Sequence, residues 1–282
     1  MNPSPAISTA IFLGIVAIVH VVYQGIVRPL AEAAIAAQGS GASTNIWVIF
    51  KDFEQQASVS IGLFCAFLII YKYQRIVLKE EPLFTMDYLA GLGRASLTVS
   101  GPKANSQAAD ASSERPMVEV PTPESEVNGK LDVALALAEL EGSRYAENSS
   151  MATWINCLRR FKNTQNVQHA SQAISESIET LAAQLESGNS MIRYFIWAIP
   201  SIGFIGTVRG IGSALAKAEE AVAGDISGMV DKLGLAFNST LVSLMISIVL
   251  MYILHVLNNR QDEMVINTRK NCERHLLTRL HN

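Results

Sequence analysis

Two runs of small and hydroxyl-bearing residues carry most of the chemistry that this 282-residue chain could perform. In the first, Ala236, Thr240, Ser243 and Ser247 recur at spacings of four, three and four, which puts them on one face of a helix. In the second, Gly203, Gly206, Gly210 and Ser213 recur at three, four and three, and Gly206 and Gly210 form a GxxxG pair. A glycine ridge lets another helix approach closely. A hydroxyl stripe in an apolar helix avoids lipid, and it has two readings: a packing face whose hydroxyls return to the preceding turn, or the wall of a narrow hydrated path. Hydroxyls can line and orient a proton path but not carry its charge. Neither stretch holds an Asp or Glu within its apolar span, so a titrating carboxylate for such a path is expected from another polypeptide.

Other chemistry finds little support. His20, His169, His255, His275 and His281 are dispersed, with no HExxH pair, and no phosphate-binding or dinucleotide-binding glycine loop is present. Cys65, Cys157 and Cys272 lack metal-ligand spacing. We therefore expect no enzyme, metal or cofactor. A net charge of −3 gives no basic footprint, so nucleic acid is not an expected partner.

The elements that must position these stripes are apolar. The chain is 49% hydrophobic and only 17% charged, and its mean hydropathy of +0.25 argues for lipid-facing segments rather than a soluble core. The reading is an all-α, polytopic membrane protein with four transmembrane helices. The first covers about 6–27, an uncharged run of about 33 Å at helical rise, read as a retained helix rather than a signal peptide. The second covers about 45–73. Its charged start, Lys51 to Glu54, would lie at the interface with Trp47 in the headgroup layer, and Ser58 to Tyr71 would cross. The third and fourth cover 191–216 and 233–257. The domains are then a membrane region over 1–73, a cytoplasmic helical domain over 74–190 containing a disordered linker at about 101–129, the helix pair within 191–257, and a C-terminal helix over 258–282. Val167, Ala170, Ile174, Ile178, Leu181 and Leu185 form a stripe that needs a partner, in this chain's own domain or in another subunit. Lys and Arg at 72–79 and in the C-terminal tail put both termini and the middle segment in the cytoplasm.

The segment Pro200-Ser-Ile-Gly203-Phe-Ile-Gly206-Thr207-Val208-Arg209-Gly210 resembles the P-x-x-G-x-x-G-T-V-x-G motif of the MotA/TolQ/ExbB proton-channel family. Ala236-Phe-Asn-Ser-Thr240-Leu-Val-Ser-Leu resembles the companion helix of the ExbB/TolQ branch, and the resemblance covers roughly Met191 to Arg260. It implies a bacterial inner-membrane stator subunit of an ion-driven motor: a homopentamer with long helices extending into the cytoplasmic domain. Its last two helices would enclose two copies of a single-helix, ExbD/TolR/MotB-like partner that supplies an intramembrane Asp. Thr207 and Thr240 would line the proton path with Ser243 and Ser247, while Gly203, Gly206, Gly210 and Ser213 pack the helices. The chain departs from that branch at Arg209, where Trp is usual, at Leu235, where Glu is usual, and at Ser243, where Gly is usual. Arg209 either snorkels to the headgroups, the favoured reading, or faces the pore mouth and pairs with a partner's acid. The fourth crossing is MotA-like, whereas the motif is ExbB/TolQ-like. A non-conducting membrane scaffold or adaptor is the alternative.

Overall fold

The computed structural model describes residues 5–38, 42, 44–76, 86–89, 132–143, 146 and 148–281, and all regular structure among them is helical. The linker expected at 101–129 lies outside these residues. In chain order the helices are α1 (Pro5–Val22), α2 (Arg28–Gln38), α3 (Ile46–Ile49), α4 (Phe53–Arg75), α5 (Val133–Gly142), α6 (Ser149–Thr164), α7 (Val167–Leu215), α8 (Ala218–Val222), α9 (Ser227–Asn271) and α10 (Thr278–His281). Four helical stretches are long and apolar enough to cross a membrane: Ala6–Ala37, Phe53–Arg75, Val167–Leu215 and Ser227–Leu280.

Two boundaries differ from expectation, for local reasons. The first helix does not stop near Val27. A π-helical turn over Tyr23–Val27, closed by the Arg28 N–H on the Tyr23 carbonyl, joins α1 to α2. The wider turn immediately precedes Pro29, which has no N–H to give to a regular ladder. The expected single helix over 45–73 is broken instead. Phe50 ends α3 at φ −98°, ψ 2°, and Asp52 is extended before α4 begins. Other ends carry familiar caps: Asp132 accepts from Ala134 and Leu135 N–H, Asn148 accepts from Ser150 N–H, and Gln165 closes α6 in the left-handed region at φ 50°.

The chain forms two compact units, Met1–Lys79 with Ala182–Glu263, and Glu80–Leu181 with Met264–Asn282, so the division falls inside α7 and α9. The second unit has its own core. Trp154, Leu158, Ala170, Ile174, Ile178, Cys272 and Leu276 are buried together, and Tyr88 meets Trp154 edge-on at 5.1 Å. Four members of the 167–185 stripe, Val167, Ala170, Ile174 and Ile178, thus find their partner within this chain. Arg279 bonds Asp87 at 2.7 Å, and the Asn271 amide donates to the Met86 carbonyl, which ties the 86–89 segment to the C-terminal helices.

In the first unit α1 packs on α4, with Phe12 and Phe64 edge-on at 5.1 Å and Val19, Tyr23 and Val27 buried beside Val59. Large apolar side chains remain exposed along α7 and α9, including Trp197, Phe204, Ile205, Phe237, Met245 and Tyr252. Such a surface belongs against lipid or other membrane helices, not water.

Candidate functional site

Helices α4, α7 and α9 of the first unit meet along a line that can be read level by level. At the first level a Cβ added to Gly210 would press on Ala236. One turn on, a Cβ at Gly206 would lie 2.6 Å from the Ser239 hydroxyl and 3.1 Å from Cγ of Glu54. A Cβ at Gly203 would collide with the Ser243 side chain and lie 2.9 Å from the Ser239 carbonyl. The absence of side chains at these three glycines is therefore what lets α7 and α9 touch. Ser213, the fourth residue of that ridge, is exposed and donates to the Arg209 carbonyl at 3.0 Å.

The hydroxyl stripe lies in the same contact. Thr207 and Thr240 are half-buried, and their hydroxyls are hydrogen-bonded to each other. Thr207 also reaches the Ala236 carbonyl at 3.1 Å, and Thr240 the Gly203 carbonyl at 3.2 Å. Ser243 is fully buried, donates to the Ser239 carbonyl at 2.7 Å, and meets the Ser58 hydroxyl of α4 at 3.1 Å. Ser247 donates to the Ile196 carbonyl at 2.9 Å. Pro200 lies four residues after Ile196 inside α7, so this carbonyl has no N–H at the usual position, and the serine replaces it.

Helix α4 brings residues that the reading of the two stripes missed. Glu54, expected at the interface, is buried, and it accepts a hydrogen bond from Arg209 at 2.8 Å. The Arg209 side chain is 59% exposed against 7% for Glu54, so the guanidinium covers an acid that is otherwise enclosed. The acid facing Arg209 thus comes from its own chain, a pairing that neither reading of Arg209 included. Gln55 is fully buried and donates to Ser239 Oγ at 3.1 Å, while its Oε1 has no hydrogen-bond partner among the described residues. Gln56, on another side of α4, donates to Nδ1 of His20 at 3.0 Å.

The line changes character beyond Ser247. Leu68, Ile69, Ile192, Leu250, Leu254 and Leu257 are all buried, an apolar layer by their positions along the three helices. Past it Lys72, Asn189 and Gln261 are buried together: Lys72 Nζ donates to the Gly188 carbonyl at 2.5 Å and to Asn189 Oδ1 at 2.9 Å, and Asn189 Nδ2 donates to Asn258 at 2.9 Å and to Gln261 at 2.6 Å. Asn189 and Arg209 are twenty residues apart on one helix, roughly 30 Å, the thickness of a bilayer core. Polar groups therefore mark both ends of the bundle. Among the described residues no His, Cys, Asp and Glu group suited to a metal occurs.

A helical membrane protein with a glycine-ridge helix pair is the class these features define. Residues 145–270 match the model of the MotA/TolQ/ExbB proton channel family, so this segment, which takes in α6 through most of α9, carries the features of a family of proton channels. The match extends well to the N-terminal side of the two motifs. No curated protein and no solved structure matches the chain.

Proposed function

We propose that this chain is the proton-channel and stator subunit of an ion-motive-force-driven motor in the bacterial inner membrane, with both termini cytoplasmic. Five copies would arrange α7 and α9 around a central pore that holds two single-helix partners, of the ExbD/TolR/MotB-like kind, each carrying an intramembrane Asp. Proton passage past that Asp would be coupled to rotation, and the motif favours the ExbB/TolQ branch. The observation that carries this reading is the joined hydroxyl pair Thr207 and Thr240, half-buried on the two helices that fall within the family match. Each hydroxyl has a carbonyl to fall back on, Ala236 for one and Gly203 for the other, so the pair can open toward a partner's acid or its water without stranding a donor. Ser243 and Ser247 would act behind this pair. The exposed apolar faces of α7 and α9 supply surface for neighbouring copies.

A non-conducting scaffold is the second reading. It is favoured by Ser243 and Ser247, which are buried and already bonded within the chain. Native mass spectrometry of the chain co-expressed with a candidate single-helix partner separates the two. The motor reading expects five copies with two partner chains, and a stable monomer in both detergent and lipid would rule it out.

A further inference from the structure

The polar groups above the apolar layer do not all belong to the threonine pair. Glu54, Gln55, Ser58, Ser239 and Ser243 lie between α4 and the α7–α9 pair. They are continuous. The close contact at Gly206 involves both Glu54 and the Ser239 side chain, Gln55 meets the Ser239 hydroxyl, and the Ser239 carbonyl receives Ser243, which in turn meets Ser58. Most buried polar atoms in a packed seam find a partner. Here the Gln55 amide uses only one end, and Oε1, enclosed in a side chain with no exposed surface, has no partner among the described residues. A buried amide oxygen left that way costs about 1–3 kcal/mol unless water or a cation serves it. Glu54 adds an enclosed carboxylate, and its ion-pair partner Arg209 is mostly exposed.

We propose that these five residues line a half-channel inside each protomer, entered at Arg209 and ended by the apolar layer, that admits water and small cations to the level of Ser243. The proposal rests on the proton-channel reading for its purpose, as a route that brings the ion to the helix pair. Arg209 is the lid. While it bonds Glu54 the mouth is covered, and when it swings away Glu54 draws cations in. The apolar layer, about 16 Å of helix between Ser247 and Asn258, stops the passage from becoming a leak.

Access can be measured without conduction, on the full chain in liposomes. Ser243→Cys is treated with a membrane-impermeant, trimethylammonium-bearing methanethiosulfonate and, in parallel, with its neutral hydroxyethyl counterpart; the unmodified chain, whose three thiols are buried, gives the background. The half-channel predicts that Ser243→Cys reacts, and that adding Arg209→Gln raises its rate. Adding Glu54→Gln should slow the cationic reagent by about tenfold and leave the neutral one unchanged, because an enclosed charge concentrates counter-ions. Leu254→Cys, in the apolar layer, should stay unreactive. Where Ser243→Cys fails to fold, Ser58→Cys reports on the same level from α4. Ser243→Cys and Ser58→Cys no more reactive than Leu254→Cys, with and without Arg209→Gln, would overturn the proposal. A loss of proton flux in other variants bears on the motor reading and leaves these rates untouched, so the two ideas fail separately.

Discussion

The Ser247 hydroxyl donates to the carbonyl of Ile196, the acceptor for which Pro200 has no N–H to offer. One helix thus repairs a gap in the other at membrane depth, where an unserved carbonyl is costly. Removing the hydroxyl by Ser247→Ala should lower stability by about 1 kcal/mol. In a Pro200→Ala background, which restores the N–H, the same substitution should cost little. Thermal unfolding of the four proteins in one detergent gives the coupling, and equal costs in both backgrounds would contradict this account.

The glycine ridge predicts a contrast between positions on one helix. Gly206→Ala puts a methyl against Ser239 and Glu54 and should destabilise by about 1–3 kcal/mol, by overpacking. Gly212→Ala meets nothing within 4 Å and should be neutral or slightly stabilising, as alanine is the better helix former. Equal melting temperatures for the two variants would sink the close-approach argument.

Glu54 and Arg209 should not be equivalent. Glu54→Gln leaves a guanidinium with ready access to its surroundings, whereas Arg209→Gln strands a carboxylate that is 7% exposed. Arg209→Gln is expected to be the more destabilising, and Glu54→Gln/Arg209→Gln should recover part of the loss. Denaturation midpoints of the three variants test the order.

The second unit offers a test in pH. Burial pushes the Cys157 thiol from an ordinary 9.0 up to about 12, so the folded protein favours the neutral thiol. The stability linked to this group is fully present below pH 9 and declines as pH rises from 9 through about 12. Cys157→Ala should flatten that part of the stability curve. In the folded protein at pH 8, Cys157 should resist iodoacetamide; rapid labelling there would count against its burial.

The sequence carried the four long apolar helices and the small-residue ridge because both are periodic within one element, and periodicity needs no knowledge of the neighbour. It hid the Glu54–Arg209 pair because 155 positions separate the two residues and because Glu54 sits among charges that suit a helix start at the membrane edge. Glu54, Gln55 and Ser58 do share a side of α4, and that short polar face was the signal available. Pro200 was visible, but only the fold shows that Ser247 lies opposite the carbonyl it frees. The π-helical turn before Pro29 was hidden for another reason: a wider turn lets a proline be absorbed where the simple rule ends a helix.

The central claim is that the Thr207–Thr240 hydroxyl pair serves proton passage. Proton uptake into liposomes that hold the chain with its single-helix partner, driven by an imposed membrane potential and followed with an internal pH dye, tests it most directly. Thr207→Val/Thr240→Val keeps the side-chain volume and deletes both hydroxyls, so the complex should assemble with unchanged stoichiometry while proton uptake falls to the level of empty liposomes. Unchanged uptake by the double variant would contradict the assignment.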